Sequence, residues 1–301
     1  MITRGPFNHL LRPGLRPDFR DSYNSFEEEY SRIVRVGTLD RAELEAVTLS
    51  GLPRQVVLGE GEPFLIIDPD LSAKITYTDT QYGLGFSVSK EMMEDDLYSK
   101  ASQSAKWLAR SVRMAQEREV ADLLDDAFSG STFTGFAAEA LCTTAHTLIQ
   151  NSSTWSNQIS GNPNLGILGL QAAFELGENT VDHQNDPIPV RIDTLLVNIS
   201  DEWMAIQLTQ NEQEPFTADR NINATLRKRR LSFQVSHYKD QSGNDWFARD
   251  SSNHDAHILF KVRPQFTDWF DDSTRSAFFA ARQRFLVFFY DQRGWIGSNA
   301  A

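Results

Sequence analysis

The sequence predicts an α+β fold, and three observations carry that reading. Residues 97–128 hold an apolar stripe at three- and four-residue spacing, with no Pro or Gly to interrupt it. Residues 50–88 hold short β-prone runs separated by Gly and Pro. Beyond residue 165, helix and strand patterns mix without a regular β-α-β alternation, which argues against a parallel α/β sheet.

Residues 1–22 contain Pro6, Pro13 and Pro17 and few core-like side chains, and so predict an extended arm. In residues 23–36, Phe26, Tyr30, Ile33 and Val34 share one helical face and predict a short helix. The runs 55–58 (QVVL), 64–67 (FLII), 74–78 (KITYT) and 86–88 predict hairpin strands, with Gly51, Pro53, Gly59, Gly61, Pro63 and Pro69 between them. This segment has too few apolar residues for its own core, so it must lean on this chain or on another.

The long helix is predicted at about 97–128. Leu97, Ala101, Ala105, Leu108, Val112 and Ala115 form its first stripe, and Val120, Leu123, Leu124, Ala127 and Phe128 continue it with a shift. Gly130 follows as a stop signal. At about 1.5 Å per residue such a helix exceeds roughly 40 Å, against about three turns for an average helix. Residues 129–165 read mostly as loop and 165–179 as helix. Residues 191–199 (RIDTLLVNI) read as a buried strand. Ser200 fits the N-cap of the following helix, with Asp201 and Glu202 in its first turn, through about 209. Residues 231–238, 246–249, 257–262 and 285–290 add strands.

The balance of 29 basic against 41 acidic residues leaves a net charge of −12, which disfavours general coating of nucleic acid. The single cysteine, Cys142, excludes an intramolecular disulfide and fits a reducing compartment. The N-terminus lacks an apolar signal-peptide core. The longest apolar run, FLVFFY at 285–290, is far short of the roughly 20 residues a membrane span needs.

Candidate chemistry is sparse. Glu91, Glu94, Asp95 and Asp96 are candidates for a divalent-metal or paired-carboxylate site, but no His or Cys lies nearby, and acids at a helix start are stabilised by its dipole. Ser89 is placed to cap that start. Cys142 and His146 form a C-x-x-x-H pair of low specificity, and His254, Asp255 and His257 make half a metal site at most. Arg227, Lys228, Arg229 and Arg230 form the one dense basic run. It suits either nucleic acid or acids on another subunit, and the acidic balance of the chain favours the subunit. No Walker, GxGxxG, HExxH or GxSxG pattern is present, so no enzyme, cofactor or metal centre is predicted.

The order of parts resembles a known family. "YGLGFSVSKEMMEDD" (82–96), "LARS" (108–111), "EREVADLLDDAF" (117–128) and "LCTTAHTL" (141–148) follow a β-rich loop. Together with "RIDTLLVNISDEWMAIQL" (191–208) and "HILFKVRPQFTDW" (257–269), they resemble the major capsid proteins of tailed phages with the Hong Kong 97-type fold, especially the Mu-like major head subunit. Cys142 stands where that family more often has an aromatic or aliphatic residue.

The resemblance implies an N-terminal arm (1–49), an extended loop (50–88), a peripheral domain (89–147 and 256–301, with the spine helix at about 97–128) and an axial domain (148–255). It implies a homo-oligomer of pentamers and hexamers enclosing double-stranded DNA, assembled in the bacterial cytoplasm, with a portal protein, a separate scaffolding protein and a possible decoration protein. Arg227–Arg230, Glu94, Asp95, Asp96 and Lys74 become candidate inter-subunit contacts. Lys74 is the only lysine in 50–85, which alone does not predict crosslinking. An encapsulin-like compartment is the alternative, and a metal- or thiol-dependent enzyme the more distant one.

Overall fold

The computed structural model describes residues 7–69, 71, 74–94, 98–149, 153–211 and 231–300. Helix α1 (Phe7–Ser25) and the single turn α2 (Tyr30–Ile33) precede strands β1 (Arg35–Thr38), β2 (Glu43–Ala46), β3 (Ile75–Thr78) and β4 (Thr80–Ser89). Helices α3 (Lys90–Glu94) and α4 (Tyr98–Asp125) follow, then the two-residue strands β5 (His146–Thr147) and β6 (Thr154–Trp155). Helix α5 (Ile167–Glu178), strand β7 (Thr194–Val197) and helix α6 (Glu202–Gln210) come next. Strands β8 (Ser232–Val235), β9 (Trp246–Arg249), β10 (Ala256–Asp271), β11 (Ser276–Phe289) and β12 (Trp295–Ser298) complete the order. The class is α+β, as the pattern predicts.

The chain divides into two units. The first comprises Met1–Leu44, Thr78–Val120 and His257–Val287; the second comprises Glu45–Tyr77, Ala121–Ala256 and Phe288–Ala301.

The first unit is built on a sheet of order β1-β10-β11-β4. β1 runs parallel to β10, Arg35 opposite His257, and β11 runs antiparallel to β4 along the whole length of β4, Ser276 opposite Ser89 and Phe285 opposite Thr80. Gly85 allows the close approach of that pair: a Cβ there would lie 2.8 Å from the Phe279 carbonyl oxygen. Pro264 falls beyond the register of β1, where β11 is the one described strand beside β10, the edge position a proline needs. Leu15 packs with Val88, Ala101, Ala105, Ala277 and Phe279, and Phe19 packs with Leu108, Ala109, Val112 and Ala281.

These contacts replace the extended conformation expected of the arm with a helix over 7–25; residues 1–6 lie outside the described residues. Pro13 and Pro17 each remove a helix donor, but burial of Leu15 and Phe19 offsets that cost. The alanines of α4 leave room for both side chains. The short helix expected over 23–36 contracts to α2, because Val34 is already extended and the chain enters its pairing with β10 at Arg35.

The second unit is built on a sheet of order β12-β9-β7-β8. β7 pairs parallel with β8 and antiparallel with β9, which pairs antiparallel with β12. Helices α5 and α6 supply Leu170, Ala173, Ala205 and Leu208 to a core shared with Leu195, Val197, Trp246, Ala248 and Ile296. The Trp246 indole Nε1 donates to the Pro163 carbonyl at 3.0 Å.

Three further expectations change. Ser200 is not the N-cap of α6: a 3-10 turn over Ile199–Asp201 precedes the helix, and the Gln241 side chain accepts the Ile199 N–H at 2.9 Å. The strands expected at 257–262 and 285–290 are parts of the much longer β10 and β11. Residues 55–58 and 64–67 form no strand and pair with none of the described strands.

Candidate assembly surfaces

The second unit carries an apolar segment that its own core does not cover. Val57 is 92% exposed, Ile66 88% and Phe64 83%, and Leu49, Leu52, Val56, Leu65 and Leu71 are exposed with them. The segment is tethered at its base and tip. Leu49 and Leu71 form an antiparallel bridge, and the Gln184 side chain donates to the Ser50 carbonyl at 3.3 Å. At the tip, a turn closes from the Glu62 N–H to the Gly59 carbonyl, and the Gly59 N–H donates to the Glu62 carboxylate. Beyond its C-terminal end, the Tyr77 hydroxyl donates to the carbonyls of Phe289 and Thr134 at 2.9 and 3.1 Å, and burial pushes this phenol above its usual range. Soluble monomers rarely expose so much contiguous apolar surface, and such patches mark interaction sites.

Lys74 lies beside this segment and pairs with Glu45, both about half exposed. Pairs of that exposure contribute roughly 0–1 kcal/mol, so the contact leaves Lys74 accessible.

The acid junction resolves in part. β4 ends at Ser89, whose Oγ accepts the Met92 N–H at 3.3 Å, and Lys90 N–H donates to the Arg275 carbonyl at 2.9 Å. Ser89 is therefore the cap of α3, and Glu91 sits in the first turn. Glu94 ends α3, with its side chain outside what is described; Asp95, Asp96 and Arg227–Arg230 lie outside the described residues.

Three polar nodes escaped the sequence reading. In the first unit, Asp79, whose side chain is 2% exposed, accepts from Lys261 Nζ (3.1 Å) and from Arg284 Nε and Nη2 (2.6 and 3.1 Å). Burial opposes its ionisation, but these bonds outweigh burial and hold the carboxyl below its usual range. In the same unit, Glu117 of α4 accepts the backbone N–H groups of Glu29 and Tyr30 at 3.0 and 2.8 Å. Burial nevertheless pushes Glu117 up to about 7. One turn away, Arg113 bonds Glu28 and lies 4.1 Å from the Tyr23 ring centroid.

In the second unit, Asp126 accepts the N–H groups of Ser131, Thr132 and Phe133 and the hydroxyls of Ser129 and Ser131, closing the chain beyond α4. Burial works against its charge, but those donors hold it well below the carboxylate range. Only this last node left a sequence signal, an Asp followed by Ser, Gly, Ser and Thr at the helix end. The Asp79 and Glu117 partners are too distant in the chain to be paired by inspection.

The thiol pair does not form a catalytic arrangement. Cys142 is fully buried, which raises its thiol pKa and suppresses the nucleophilic thiolate. His146 faces Glu139 Oε2 through Nδ1 and Asn157 Oδ1 through Nε2, each at 2.8 Å, and stacks on Trp155. His254 packs edge-on against Trp295, and Asp255 accepts the Asp291 N–H. Among the described residues no group of three or more metal-ligating side chains comes together, and no helix is long and apolar enough to cross a membrane.

Comparison with solved structures finds the same fold in phage shells. The capsid of cyanophage P-SCSP1u matches with a TM-score of 0.59 at 12% identity, covering 92% of this chain and 90% of that one. The capsid of an empty GTA particle matches at 0.56 and 11% identity, covering 91% and 90%. The procapsid of bacteriophage JBD30 matches at 0.54 and 13% identity, covering 99% of this chain and 77% of that one. At such identities the likeness is one of fold. No curated protein matches the chain in sequence. The model of the phage capsid protein family, however, matches residues 73–297, most of the chain. The chain thus belongs to the phage capsid protein family and has the Hong Kong 97-type fold.

Proposed function

We propose that this subunit builds an icosahedral shell around double-stranded DNA, occupying both pentamers and hexamers, and that residues 50–88 act as an extended loop lying over the adjacent subunit. The observation that carries this reading is the tethered apolar segment around Val57, Phe64 and Ile66, β-prone in sequence yet without a strand partner among the described residues. A neighbouring subunit would supply both the apolar cover and the backbone partners. On this reading residues 89–147 and 256–301 serve as the peripheral domain around the spine helix α4, and residues 148–255 as the axial domain. The role is structural, in keeping with the buried Cys142 thiol and the engaged His146 ring.

Portal and scaffolding proteins would act in trans during assembly in the host cytoplasm. Lys74, Glu94, Asp95, Asp96 and Arg227–Arg230 are assigned to subunit contacts; reversing the four basic charges should lower shell yield without changing the fold of the free subunit. The fold is also shared with a virus-like particle from Pyrococcus furiosus, at a TM-score of 0.53 and 8% identity, so the family match, rather than the fold, disfavours the nanocompartment alternative.

The buried Cys142 gives the loop placement a clean test. In an Ile66→Cys variant, the new thiol should react with a polar maleimide in the free subunit and be protected in assembled shells. Equal reactivity in both states would contradict the placement.

A further inference from the structure

We propose that the exposed face of α4 from Lys100 to Arg118 is a docking site for an acidic amphipathic helix of a second polypeptide. The exposed positions of this stretch are Lys100, Gln103, Lys106, Trp107, Arg110, Met114 and Arg118. They carry four cations and no carboxylate, on a chain whose net charge is −12. Glu117, on the same helix, is turned inward onto backbone amides. The local charge therefore opposes the charge of the whole, the pattern expected where an acidic partner is drawn to one face.

The apolar content narrows the partner. A shallow groove is lined by Trp107, Arg110, Ser111, Met114, Ala115 and Arg118. Trp107 is 61% exposed and Met114 37%, unusual for side chains of this size on a polar helix face. The groove follows successive turns of one helix, and such grooves accept the side-chain ridge of another. An apolar ridge would fill the floor between Trp107 and Met114, and acidic flanks would meet Arg110 and Arg118. A nucleic-acid backbone satisfies the cations but has no apolar ridge for the floor, so the acidic helix fits better. Tryptophan and arginine are also the residues most enriched among energetic hot spots.

The test uses unassembled full-length subunit and fluorescence anisotropy with three probes. The first is a synthetic helical peptide with leucines at three- and four-residue spacing and flanking glutamates. The second carries lysines in place of those glutamates. The third is a duplex DNA of similar charge. The account predicts saturable binding of the glutamate peptide, weaker binding of the other two, and about tenfold loss with Trp107→Ala. Combining Arg110→Glu with Arg118→Glu should weaken the glutamate peptide about 30-fold and turn the preference toward the lysine peptide. All three substituted positions are exposed, so the variants should keep the circular dichroism spectrum of the parent. No saturable binding, tighter binding of DNA than of the glutamate peptide, or binding indifferent to the variants would each overturn the proposal. None of these outcomes bears on shell formation, which is read by particle imaging.

Discussion

Replacing Val57, Phe64 and Ile66 together with serine should abolish shell formation while leaving the free subunit folded. The three side chains are 83–92% exposed, so in the isolated subunit they contribute almost nothing to its core. Complete burial of a Val, Ile or Phe side chain is worth about 1.5–3 kcal/mol. Three of them covered by a neighbour would therefore stabilise each contact by roughly 4–8 kcal/mol. Even the lower figure corresponds to about a thousandfold in the association constant of one contact. Since each contact recurs around the shell, the loss recurs with it. Thermal unfolding of the subunit and sedimentation of the assembly mixture read the two quantities separately. The expected outcome is a melting temperature within a few degrees of the parent and no fast-sedimenting particles. Normal shell yield from the triple variant would refute the reasoning, as would unfolding of the free subunit, because the segment would then belong to the subunit's own core.

Two predictions concern the polar nodes. Asp79→Ala should lower subunit stability by about 2–4 kcal/mol in a urea titration, since it strands two cations. The lower end is favoured, because Lys261 and Arg284 are 21% and 32% exposed and regain water; an unchanged midpoint would refute the clamp. Two groups of the second unit titrate in separate pH windows. Burial, and then the neighbouring Arg293, lower His183 from 6.5 to about 4, so stability present above pH 6.5 is lost as pH falls through that interval. Asp126 lies below its unfolded value of about 3.9, so its contribution persists above that pH and is lost on further acidification. Asp126→Asn should cost about 1.5–3 kcal/mol at pH 7 and flatten only the lower window in acid titrations of unfolding. Equal acid sensitivity of parent and variant below pH 4 would contradict that role.

What could be seen in the sequence follows from how local each interaction is. The α4 stripe, α5, β7 and β9 were legible because their apolar periodicity is set by burial of one face. Ser89 was legible as a cap because capping is local. Helix α1 was not, since its prolines argue against a helix and the packing of Leu15 and Phe19 that outweighs them involves residues far along the chain. The length of β10 and β11 was hidden by Lys261, Arg263, Pro264, Arg282 and Arg284, which break the apolar alternation. The runs at 55–58 and 64–67 have strand composition, but a strand also needs an edge to pair with, and composition does not say where that edge is. Of the candidate surfaces, the β-prone runs of the loop and Lys74 were visible, whereas the cation-rich face of α4 emerged only once its buried face was known.

The central claim, that this chain closes into a shell, is tested most directly by sedimentation and negative-stain imaging of the purified protein, expressed alone and together with a candidate scaffolding protein. The account predicts closed particles of uniform diameter in at least the second condition. Discrete monomers or dimers alone in both would contradict it.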